Sequence, residues 1–168
     1  MKIVRAGFGI IFVFLLGGIS EAEEAAASLG PDMNGWEMSS APEAKSALDV
    51  VPDGYDGQPS LRLVVEDVPP EKWWMVSIRS PKFSVEEGVF YVLTFWAKTE
   101  ELPKSIFLSI GADGKKISRE QKLAIQTGWE EYRFYFSVDR TAIAHLTVGN
   151  LGQQGLSLQL AAPRLERE

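Results

Sequence analysis

Apolar and polar residues alternate one by one in short runs along most of this chain. SLRLVVE (60–66) sets Leu61, Leu63 and Val65 against Arg62, Val64 and Glu66. VFYVLTFWAKT (89–99) puts Val89, Tyr91, Leu93, Phe95 and Ala97 on one side, with Phe90, Val92, Thr94, Trp96 and Lys98 on the other. SIFLSI (105–110) aligns Ile106, Leu108 and Ile110, and EYRFYFS (131–137) opposes Tyr132, Phe134 and Phe136 to Arg133, Tyr135 and Ser137. AHLTVG and LSLQLAAPRLE keep the same period, and SREQKLAIQ (118–126) reads as a further strand. A period of two sends neighbouring side chains to opposite faces of a strand. The β-branched and aromatic content favours strands over buried helices, and no helical periodicity is visible from Leu29 onward.

The breaks between runs are turn-forming. PDGYDGQP (52–59) holds two Asp-Gly steps, and ADGK (112–115) has the composition of a hairpin turn. Many short strands with frequent turns predict an all-β protein, a two-sheet antiparallel β-sandwich of jelly-roll type. One run poses a local question. In EKWWMVSIRS (71–80), alternation assigns Trp74, Val76 and Ile78 to the core and Trp73, Met75, Ser77 and Arg79 to the outside. Pro69-Pro70 just upstream places Trp73 where a loop enters the strand.

The amino terminus follows another logic. Lys2 and Arg5 precede an apolar run from about Ala6 to Ile19, shorter than the roughly 20 residues of a membrane span. Ser20-Glu21-Ala22 then has a small-x-small cleavage pattern. Residues 1–22 therefore read as a secretory signal peptide, 23–33 as a short linker, and 34–168 as one sandwich domain. A second small-residue site near Ala27 offers another cut. Cleavage leaves no membrane segment and implies a secreted or periplasmic protein. The net charge is −6, which phosphate backbones repel, so nucleic acid is not an expected partner. With no cysteine there is no thiol nucleophile, thiolate metal site or lipidated cysteine.

Catalytic patterns are missing. Glu86-Glu87, Glu100-Glu101 and Glu130-Glu131 read as solvated charge pairs rather than the opposed carboxylates of a glycosidase. His145 is the only histidine, sits among Ala144, Leu146 and Val148, and has no G-x-S-x-G elbow to serve. No zinc spacing or phosphate loop occurs. The protein is not an expected enzyme. Asp53 and Asp56, with nearby backbone carbonyls, offer oxygen ligands for a structural calcium, although DGYDG lacks the EF-hand spacing. No other cofactor is implied.

The aromatic residues are the strongest chemical feature. Tyr91, Phe95, Tyr132, Phe134 and Phe136 share faces with aliphatic residues and belong to the core. Trp96, Tyr135 and Trp73 instead lie among hydrogen-bonding side chains. Rings mixed with polar groups suit a pyranose, which has an apolar C–H face and a rim of hydroxyls. The candidate carbohydrate-binding set is Trp73, Trp96, Tyr135, Arg79, Lys98, Arg133 and Gln159. The same pattern also fits rings covered by a partner protein.

VEEGVFYVLTFWAKTE (85–100) resembles the hallmark of carbohydrate-binding modules of families 4 and 9 and their relatives in families 16 and 22. Gly88, Tyr91, Leu93, Phe95, Ala97 and Lys98 carry that likeness. NGWEM (34–38), DGQPSLRLVV (56–65), TGWEEYRFYFSV (127–138) and LSLQLAAPRLE (156–166) resemble the remaining landmarks in order. The resemblance spans about 34–166. It implies a galactose-binding-like jelly roll whose poly- or oligosaccharide lies on a sheet face or at loop ends. It also implies a calcium with acidic ligands near the first and last strands. This chain departs there, with Ala161-Ala162-Pro163 where an acidic pair is usual. A structural or protein-interaction sandwich without a sugar site is the competing expectation.

Overall fold

The computed structural model describes Leu29 and residues 32–168. The expected signal peptide lies outside the described residues. The described residues form twelve strands: β1 (Glu37–Ser40), β2 (Lys45–Val51), β3 (Ser60–Asp67), β4 (Val76–Arg79), β5 (Phe83–Val85), β6 (Phe90–Thr99), β7 (Lys104–Ala112), β8 (Lys115–Lys116), β9 (Gln121–Ile125), β10 (Glu130–Ser137), β11 (Ala142–Gly149) and β12 (Leu156–Arg167). A front sheet runs β10-β6-β12-β3-β2. A back sheet runs β1-β4-β11-β7-β8, with β5 also on β11 and β9 also on β7. Neighbouring strands pair antiparallel throughout. This is the expected sandwich.

Alternation decides which side chains fill it. From the front sheet come Leu61, Leu63 and Val65, then Tyr91, Leu93, Phe95 and Ala97, then Phe134 and Phe136, all buried. The back sheet answers with Val76 and Ile78, Ile106, Leu108 and Ile110, and Leu146 and Val148. Tyr91 stacks on Phe136 at 5.2 Å, and Phe134 lies 5.1 Å from Phe136, joining β6 to β10 by ring contact as well as by ladder. Leu29 and Met33, in the segment read as a linker, are also fully buried, so the core extends ahead of residue 34.

Strand β12 breaks the simple alternation. Its register against β6 shifts between Ala161 and Arg164, and Ala162 takes the left-handed φ of 47°. This bulge accommodates Pro163, which has no N–H to give a ladder and is tolerated inside a sheet only at such a point. The extra residue reverses parity: Leu156, Leu158 and Leu160 point inward before it, and Leu165 after it. Arg164 is thereby turned to the outer face, where an unbroken period of two would have buried it.

The turns follow their chemistry. Asp113 (φ 50°) and Gly114 (φ 72°) close the β7–β8 hairpin, as an Asp-Gly pair does in a type I′ turn. Because Phe134 is fully buried and stacked on Phe136, Phe134→Ala should destabilise the fold by about 3–5 kcal/mol. Urea unfolding should show this as a lower midpoint at unchanged slope.

Candidate functional site

The residues left outside the core on the front sheet form ordered rows, because directly opposed residues share a face. One row is Glu131–Trp96–Ala161 and the next is Lys98–Gln159–Arg62–Asp49. On the other side of Trp96 come Arg133–Thr94–Arg164 and then Tyr135–Val92–Glu166. Rows two residues apart are roughly 7 Å apart, so the face from Tyr135 to Lys98 is about 20 Å long. Trp96, Lys98, Arg133, Tyr135 and Gln159 therefore converge on one outer face.

Its two ends differ. At one end Tyr55, from the PDGYDGQP loop, stacks on Trp96 with centroids 3.9 Å apart and planes 11° apart. Trp129 meets Tyr55 edge-on at 5.7 Å, and Lys98 Nζ lies 5.2 Å from the Trp129 centroid. Trp96 is thus half-buried with one ring face taken, and it is not the free platform that alternation suggested. Tyr55, Trp96 and Trp129 form one aromatic cluster. At the other end a hollow of about 320 Å³ is lined by Thr94, Arg133, Tyr135, Arg164 and Glu166 among others. Tyr135 stands 52% exposed at its edge. Arg133 donates to Glu131 Oε1 from Nε (3.3 Å) and Nη2 (3.0 Å), which orients its guanidinium along the face. Arg62 lies 3.9 Å from Asp49, and the Ser60 hydroxyl donates to Gln159 Oε1 at 3.4 Å.

Sequence reasoning missed Tyr55, Trp129, Arg62 and Arg164. Arg62 was visible as an outward residue of SLRLVVE. Tyr55 and Trp129 sit in turns, where periodicity carries no facial information, and Arg164 needed the bulge.

The other two candidates lie elsewhere. Arg79 pairs with Thr147 on the back sheet, and Trp73 lies edge-on to Phe107 at 5.9 Å on that same side. The tryptophan doublet is not in a strand. Glu71 adopts a φ of 66°, and Trp73–Met75 form a single 3-10 turn closed by the Met75 amide donating to Lys72 O at 3.0 Å. Alternation starts only at Val76, so Val76 and Ile78 are buried as expected while Met75 packs against the core. Trp74, assigned to the core by alternation, is 59% exposed, and Trp73 is 46% exposed. The rings stand perpendicular, 5.6 Å apart. The Gly152 amide donates to Trp73 O at 2.9 Å and the Ala41 amide to Met75 O at 2.9 Å, pinning the turn from both sides. A Cβ on Gly152 would fall 2.6 Å from Lys72 O.

Asp53 and Asp56 are both exposed. Among the described residues no group of three or more His, Asp or Glu side chains is arranged to hold a metal ion. None of the described helices is long and apolar enough to cross a membrane.

No family profile matches the sequence, and no curated protein matches it. Solved structures do match in shape. A family 4 carbohydrate-binding module aligns with a TM-score of 0.61 at 15% identity, covering 83% of this chain and 94% of that one. The N-terminal cellulose-binding domain of Cellulomonas fimi β-1,4-glucanase C gives 0.57 at 17%, covering 80% and 89%. A family 11 carbohydrate-binding module from Clostridium thermocellum, solved with a mixed-linked β-1,3-1,4 tetrasaccharide, gives 0.55 at 12%, covering 80% and 92%. The chain has the jelly-roll fold of these modules.

The tryptophan turn yields a direct check. Trp74→Ala should change unfolding free energy by no more than about 0.5 kcal/mol, as for an exposed residue. Gly152→Ala should cost about 1–3 kcal/mol, because the new methyl must displace backbone. Paired urea titrations measure both.

Proposed function

We propose that this protein is a secreted, non-catalytic carbohydrate-binding domain that takes a poly- or oligosaccharide along the outer face of its front sheet. The observation that carries the reading is convergence: Trp96, Lys98, Arg133, Tyr135 and Gln159, widely spaced in sequence, meet on that face. Aromatic surface at both ends supplies flat apolar contact, and the polar rows between them supply donors and acceptors for hydroxyls. Most charges on this face are already engaged, Arg133 with Glu131 and Arg62 with Asp49. Such a surface suits a neutral glycan better than an ionic one. The shape likeness to modules whose ligands include a mixed-linked tetrasaccharide and cellulose supports the same reading. Secretion rests on the signal-like residues 1–22, and the net charge of −6 disfavours nucleic acid.

A sandwich that docks a partner protein is the competing reading, and the exposed Trp74, Phe90 and Ile143 favour it. Affinity electrophoresis in gels containing mixed-linkage β-glucan, cellulose derivatives or xylan separates the two. The wild-type protein should be retarded by at least one glycan. Tyr135→Ala and Gln159→Ala should each weaken retention by about tenfold, equivalent to about 1.4 kcal/mol, with melting temperatures close to wild type. Absence of retardation across the panel, together with a co-purifying protein, would support docking instead.

A further inference from the structure

The back sheet also has an outer face, and its residues again form rows. Phe107 pairs with Gly149, Thr147 with Ser109 on one side and Arg79 on the other, and Gly111 with His145. From the Phe107 row to the Gly111 row is about 14 Å. Between two built-up ends the strip is low: Thr147 is half-buried, and Ser109 and Gly111 are buried. One end is the Trp73–Trp74–Phe107 corner. The other is a pocket of about 470 Å³ lined by Arg79, Lys82, His145, Glu37 and Asp113, among others.

We propose that this face is a second glycan-binding surface, in which the Arg79–Lys82–His145 pocket takes the carboxylate of a uronic-acid unit and the attached sugars run over Thr147 toward the Trp73 corner.

Three observations carry it. First, the pocket gathers two cations in an acidic protein, with Glu37 facing Arg79 across the β1–β4 ladder. Neither Arg79 nor Lys82 makes an ion pair with a described residue, whereas Asp113 is engaged by Arg140 at 3.4 Å. Second, the pocket is pre-organised. Ser80, between the two cations, donates its amide to Leu146 O at 3.0 Å and accepts the Leu146 amide at 2.9 Å on Oγ, fastening the segment to β11. His145 lies close over Gly111, where a Cβ would come 2.9 Å from its Nε2. Third, the imidazole reports the field around it. Burial depresses its pKa below the ordinary value, and Arg79 and Lys82 depress it further, outweighing the opposing pull of Glu37. A neutral sugar would leave these cations unused, while a carboxylate meets them in charge-assisted hydrogen bonds. The aromatic corner explains why the anion would be part of a sugar chain. The inference does not depend on the front face.

The test is isothermal titration of the full chain with uronic-acid oligosaccharides, neutral gluco-oligosaccharides, sodium sulfate and poly-glutamate. Wild type should bind the acidic oligosaccharide, and Arg79→Gln/Lys82→Gln should weaken it by at least about tenfold. Trp73→Ala should weaken the oligosaccharide but not free glucuronate. The double variant should keep its melting temperature and any neutral-glycan retention in gels. By NMR the His145 pKa should rise on binding the acidic sugar, as Arg79, Lys82, Glu37 and Asp113 are the charged groups lining its pocket. Equal binding by wild type and double variant would overturn the proposal, as would no binding of uronides. Sulfate or poly-glutamate binding as tightly as the oligosaccharide would also overturn it, making the pocket an anion site without sugar selectivity.

Discussion

Two sheets stay together here only because each strand gives alternate side chains to one shared apolar layer. A strand has two faces, and the inner one is spent on Leu, Ile, Val and aromatic contacts across the sandwich. Everything else follows from that commitment. The outer faces carry no packing duty, so their residues are free to be polar, charged or aromatic without loss of the fold. Function in this architecture is what remains after the core has been filled.

The tryptophans and tyrosines show how finely that division is made. Tyr91 is inside, stacked on Phe136 with its hydroxyl accepting the Glu86 amide at 2.9 Å. Trp96 is outside the core yet half-covered, because the turn carrying Tyr55 folds over it. Trp74 stands in solvent on a turn held by Gly152 and Ala41. Three environments thus arise for similar rings, and the second requires a loop distant in sequence. Covering one face of Trp96 also holds the ring rigidly, which lowers the ordering cost of any ligand that meets it.

Charge is allocated in a parallel way. On the front face, Arg133 with Glu131 and Arg62 with Asp49 neutralise one another while still presenting hydrogen-bonding edges. On the back face, Arg79 and Lys82 stand beside His145 without a close ion pair among the described residues, and Glu37 and Asp113 line the same pocket. On one sheet opposite charges lie in contact, and on the other two cations and two carboxylates line one pocket around a histidine. The two faces are chemically distinct even though the same alternation produced both.

Alternation alone determined the all-β class, the sandwich, most of the core and the outward placement of Trp96, Lys98, Arg133 and Tyr135, because side-chain direction in a strand depends only on parity. Parity fails wherever the backbone leaves the extended state. The 3-10 turn at Trp73–Met75 put Trp74 in solvent, and the bulge at Ala161–Arg164 brought Arg164 out. Periodicity is also silent about which strands become neighbours. Only the ladder β10-β6-β12-β3-β2 decided that Tyr135, Trp96, Gln159 and Arg62 share one surface, and that Trp73 and Arg79 belong to the other. Local sterics write the direction of each side chain into the sequence, but adjacency comes from long-range hydrogen bonds and packing, which exist only once the chain has folded.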